Sequence, residues 1–144
     1  GPVRGWDGDD WGNAIPVNQT LAETDEADFD ALVLPGGQIN PDLLRVEPKA
    51  LDLICAFFEA KKPIAAICHA PWLLVETGIA KGRRMTSYHS IKTDVINAGA
   101  EWVDEPVVCE QAIITSRNPG DLDAFCEKIT EEVLEGRHEA RKVA

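Results

Sequence analysis

Cys68 is the residue whose surroundings are arranged for chemistry. The stretch Pro63-Ile64-Ala65-Ala66-Ile67 is an unbroken apolar run that ends directly on Cys68-His69-Ala70-Pro71-Trp72. A buried strand leading into a nucleophile and then into a helix has the logic of a nucleophile elbow: the tight turn lifts the side chain above the sheet. The N–H groups and positive dipole end of the following helix would lower the thiol pKa and hold an oxyanion formed on attack at a carbonyl. Sequence therefore predicts a thiolate nucleophile at Cys68. His69 is adjacent, and adjacency alone does not bring an imidazole to a thiol; a histidine satisfied by a backbone carbonyl is the alternative, and the elbow favours a general base. Gly36 and Gly37 close an upstream apolar run. They offer close backbone approach and another N–H to an oxyanion, or simply a turn.

These residues need strands and helices to hold them. Ala31-Leu32-Val33-Leu34, ended by Pro35-Gly36-Gly37, reads as a strand buried on both faces, and Pro63 to Ile67 as a second. Leu51, Ile54, Cys55 and Phe58 fall at helical spacing on a helix from near Pro48 to near Lys61, which places Cys55 in the core. Trp72 to Glu76 is a helix stopped at Gly78, Met85 to Ser87 a third strand, and Ile91 to Ala98 a helix closed by Gly99. Val107 to Thr115 predicts a hairpin around Glu110-Gln111, with Cys109 structural. Asn118-Pro119 starts a last helix whose expected apolar face is Leu122, Phe125, Cys126, Ile129 and Val133. Residues 1–12 read as an irregular segment anchored by Trp6 and Trp11. Alternating strands and helices imply an α/β fold with a parallel sheet and its active site at the carboxyl ends of the strands.

The 144 residues suit one domain, 1–144, and the net charge of −11 without a basic cluster argues against nucleic acid as a partner. No apolar run approaches the ~20 residues that cross a bilayer, so no membrane partner is expected. Cys55, Cys68, Cys109 and Cys126 form no C-x-x-C pair, which predicts neither a metal site nor a redox dithiol. A reducing, cytoplasmic location follows.

The stretches Asp28 to Gly37, Lys62 to Leu74, Thr86 to Ile91, Ile96 to Asp104 and Thr115 to Pro119 together resemble the PfpI-type cysteine peptidases of the ThiJ/PfpI superfamily, relatives of class I glutamine amidotransferases. The resemblance implies a flavodoxin-like three-layer sandwich, no cofactor, Cys68 as nucleophile and His69 as its partner. It also implies a homo-oligomer in which an acidic residue from a neighbouring subunit orients the histidine. Asp42 matches that acid, and a helix-start carboxylate is the equally weighted alternative. Tyr88 matches a pocket-lining tyrosine, while His89 stands where proline is common and has no assigned role. Relatives begin with a βαβ unit of ~40 residues whose first strand supplies a glutamate to the cysteine. This sequence starts after that unit, so no residue here takes the glutamate's role. Two apolar strand edges should be exposed, and the active species should contain the unit, uncut or as a bound fragment.

Three activities share the one sulfur. A glyoxalase or deglycase would add it to a reactive aldehyde, and a peptidase would add it to a peptide carbonyl. A stress-response redox sensor or holding chaperone would use Cys68 as an oxidisable thiol.

Overall fold

A computed structural model describes residues 1–136; the end of the expected 1–144 domain, residues 137–144, lies outside the described residues. The chain opens with β1 (Val3–Asp7) and β2 (Asp10–Ile15), then short 3-10 turns lead to β3 (Leu32–Leu34). Helices α1 (Ile39–Leu44) and α2 (Pro48–Glu59) precede β4 (Ile64–Ile67), and α3 (Trp72–Glu76) precedes β5 (Arg84–Met85). There follow α4 (Lys92–Asn97), β6 (Glu101–Trp102), β7 (Val108–Glu110), β8 (Ile113–Ser116) and α5 (Leu122–Glu135).

The main sheet has the order β3-β4-β8-β7, with the first three strands parallel and β7 antiparallel to β8. β4 lies between two parallel neighbours, and its four residues, all apolar, are all buried. That is the state an unbroken apolar run requires. The β7–β8 hairpin turns through Gln111 and Ala112, both at positive φ, as a two-residue turn matching the strand twist demands. Helix α2 buries Ala50, Ile54, Phe57 and Phe58 against the sheet, and Glu47 caps its start by accepting from the Lys49 N–H.

Several expectations change. Residues 1–12 are not irregular: β1 and β2 form an antiparallel hairpin with Gly8 at φ 68 in its turn. Trp6 and Trp11 are not buried anchors but an exposed edge-to-face pair, 5.4 Å between centroids, with Arg4 lying over Trp11. The strand expected at Met85 to Ser87 is β5, which pairs with β6 in a separate two-stranded sheet. Cys55 is only half-buried, because the buried face of α2 is turned toward Phe57. On α5 the buried apolar residue is Phe125; Leu122, Cys126 and Val133 are exposed, since only one side of this helix meets the sheet. The four sheet strands are contiguous, so there is no gap with two exposed edges around it. One edge, β3, is open, and Val33 there is 48% exposed.

Candidate functional site

β4 ends at Ile67, and the backbone then bends through Cys68 at φ 66, a left-handed conformation in a residue other than glycine. Such a conformation costs about 1–2 kcal/mol and persists only where the surroundings enforce it. Three contacts do so. The Cys68 N–H donates to Ser116 O at the end of β8 (3.1 Å), Cys68 O accepts from the Tyr88 N–H (2.8 Å), and Ala70 N–H donates back to Ile67 O (3.0 Å). Gly36 closes the fourth side. A Cβ on it would stand 2.7 Å from Cys68 Cβ and 2.9 Å from Ile67 O, so only glycine fits. Gly37 has open space around it and is a glycine because of its backbone, at φ 82.

The Cys68 sulfur is half-buried, faced by the backbone N–H groups of Gly37 and His69, and 3.2 Å from His69 Nδ1. The elbow thus brings together residues that adjacency in sequence left undecided. Electrostatics runs against one expectation. Burial pushes the Cys68 thiol above the ordinary 9.0, and the two N–H groups lower it by less. The helix-dipole argument fails here because α3 is five residues long and begins at Trp72, four positions beyond the sulfur. Burial, with a smaller contribution from His89, holds His69 below the ordinary 6.5. Both shifts favour a protonated thiol beside a neutral imidazole, and the 3.2 Å separation lets Nδ1 take the thiol proton.

Around the imidazole, Tyr88 stacks at 4.6 Å and Trp72 presents an edge at 5.3 Å. His89 stacks on Tyr88 at 4.3 Å, and Ser90 Oγ lies 3.3 Å from His69 Nε2. Sequence reasoning left His89 without a role and did not consider Ser90. The signal was present in the Tyr88-His89-Ser90 run, but only the 3-10 turn over His89–Ile91 swings it back over His69. Asp42 is exposed on α1 and makes no hydrogen bond to His69 within the chain. Ile39, Leu43 and Val46 around it are 60%, 64% and 78% exposed. Two open clefts lie elsewhere, at the base of the first hairpin and between residues 21–26 and α2. The reactive pair sits at the surface rather than in either cleft. Among the described residues, no helix is long and apolar enough to cross a membrane.

Residues 1–132 match the DJ-1/PfpI family. Deglycase PfpI of Pyrococcus furiosus is 45% identical over 114 residues, 79% of this chain and 68% of that protein. General stress protein 18 of Bacillus subtilis is 44% identical over 112 residues, 77% of this chain and 64% of that protein. The crystal structure of Drosophila melanogaster DJ-1beta superimposes with a TM-score of 0.75 and 35% identity, covering 85% of this chain and 69% of that one. The chain thus spans about two thirds of the length of these relatives.

Proposed function

The chain belongs to the DJ-1/PfpI family, and from that premise we propose that it is a cytoplasmic, cofactor-free cysteine enzyme acting on reactive carbonyls. The observation that carries this reading is the strained Cys68 with its sulfur 3.2 Å from His69 Nδ1. As an α-oxoaldehyde approaches, His69 takes the thiol proton and the sulfur adds to the aldehyde carbon. The N–H groups of Gly37 and His69, already facing the sulfur, meet the oxyanion. Imidazole and imidazolium then move the proton from the former aldehyde carbon to its neighbour, which leaves a thioester on Cys68. Water cleaves it to a 2-hydroxy acid and returns the thiol. Tyr88 and Gly36 line the approach.

Deglycase PfpI carries an activity of this class in its name, and General stress protein 18 carries a stress association. A peptidase reaction would use the same sulfur and acyl intermediate. The redox-sensor reading is weaker, since burial raises the Cys68 thiol and oxidation follows the thiolate. Comparing methylglyoxal with short peptides as substrates separates the two hydrolytic readings. Activity surviving Cys68→Ala would defeat both.

Two features of assembly belong to the same proposal. The exposed Ile39, Leu43 and Val46 around Asp42 support a contact with a second copy that carries Asp42 toward a neighbour's His69, and light scattering measures the oligomer. The open β3 edge, with its apolar residues, supports pairing with a further strand, supplied upstream or by a bound fragment. Intact mass of active material tests that; a lone 15.7 kDa chain with full activity would refute it.

A further inference from the structure

We infer that Ser90, on the same chain, is a positioning residue for His69: its hydroxyl engages Nε2 and so turns Nδ1 toward the Cys68 sulfur. This rests on Cys68 and His69 being the reactive pair. The two contacts lie on opposite ring nitrogens, 3.3 Å from Ser90 Oγ to Nε2 and 3.2 Å from Nδ1 to Sγ, so one rotation of the ring breaks both.

Ser90 is exposed, and a loose hydroxyl there would serve no better than water. The segment that carries it is not loose. Trp102 Nε1–H donates to Ser87 Oγ (2.9 Å), Ser87 Oγ–H donates to Tyr88 O (2.9 Å), and Tyr88 N–H donates to Cys68 O (2.8 Å). The Tyr88 ring also lies against the imidazole, and Ile91 is buried in the core just beyond. The segment that carries Ser90 is therefore tied to the backbone of Cys68, the residue before His69.

Proton accounting explains why a hydroxyl suits this position. With Nε2–H donating to Ser90 Oγ, the Nδ1 lone pair is free to accept the thiol proton. When it does, Ser90 continues to accept from Nε2–H of the imidazolium, and no rearrangement is needed. A hydroxyl carries no charge, so it orients the ring in both protonation states while burial holds His69 below its ordinary pKa. The other titratable groups near the ring are Cys68, Tyr88 and His89; Asp94 is bound to Trp72 Nε1–H, and Arg45 lies over Trp72, paired with Glu76.

The test compares Ser90→Ala, Ser90→Thr and Asp42→Asn by methylglyoxal turnover, by the ¹⁵N shifts of His69, which report tautomer and ring hydrogen bonding, and by urea unfolding. Ser90→Ala is expected to lower kcat about three- to tenfold with KM within about twofold, the size of one lost hydrogen bond at an exposed site. Its His69 should become a mixture of tautomers while the unfolding midpoint holds, and Ser90→Thr should restore both rate and spectrum. Unchanged ¹⁵N shifts in Ser90→Ala overturn the inference, as does a loss of rate confined to Asp42→Asn. If no carbonyl substrate is turned over, the carbonyl reading fails separately, and the ¹⁵N comparison still decides the role of Ser90.

Discussion

Gly36 and Cys68, 32 positions apart, share one space: a single methyl group on Gly36 would stand 2.7 Å from Cys68 Cβ. The reactive residue is held in its left-handed conformation partly because the neighbouring strand end has no side chain.

Gly36→Ala therefore cannot be absorbed by a flexible neighbour, since the backbone oxygen of Ile67 is also only 2.9 Å away. It is expected to destabilise the fold by about 1–3 kcal/mol, as overpacking does, and to displace the sulfur and abolish turnover. Gly37→Ala meets no atom but adopts φ 82 with a Cβ, and should cost about 1 kcal/mol. Urea unfolding of both variants measures the difference; equal costs would show that the close approach at Gly36 is relieved.

Two truncations at Cys68 isolate its strain. Cys68→Ala and Cys68→Gly both remove the sulfur, and both should lose at least about a hundredfold in activity. At φ 66 the alanine keeps a Cβ that glycine lacks, so Cys68→Gly should be the more stable by about 1 kcal/mol. In an ordinary turn or helix the order would be reversed, and denaturant midpoints report which holds.

His69 acts as a base only when neutral, and its pKa lies below 6.5, so the acid limb of kcat/KM should fall below 6.5. His89→Asn removes the smaller of its two depressing influences and should move that limb upward. Stability has a matching sign. Below 6.5 the unfolded chain binds the His69 proton more readily than the folded one, so this contribution is complete above 6.5 and is lost as pH falls through the lowered pKa. An acid limb above 6.5 would contradict the burial argument.

The four thiols should differ sharply toward a thiol reagent. Cys126 is exposed and should react first. Burial, with Glu132 beside it, pushes Cys109 up to about 12, so it should react last. Between 9.0 and about 12 the folded chain keeps a Cys109 proton that the unfolded chain has released, so stability should decline as pH rises through that range. Cys68, pushed above 9.0, should show no enhanced alkylation at neutral pH. Mass mapping of labelled peptides gives the order, and rapid labelling of Cys68 at pH 7 would restore the preformed thiolate that the sequence predicts.

The sequence by itself determined β4, the elbow at Cys68 and the turn at Gly36-Gly37. Each is specified by neighbours along the chain: four apolar residues in a row need burial on both faces, and they end where small residues permit a sharp turn. It also carried the family, through motifs spread in order along most of the chain. What it could not decide were properties created by distant approach. The first twelve residues looked irregular because their pairing runs across the Gly8 turn, and the exposed face of α5 depends on how far the sheet extends beneath it. The direction of the Cys68 pKa belongs to the same class. A turn after a strand is legible locally, but the desolvation that outweighs the Gly37 and His69 N–H groups comes from atoms packed around the sulfur in three dimensions. Ser90 reaches His69 across 21 positions for the same reason: hydrogen-bond partners are chosen by where the folded backbone delivers them.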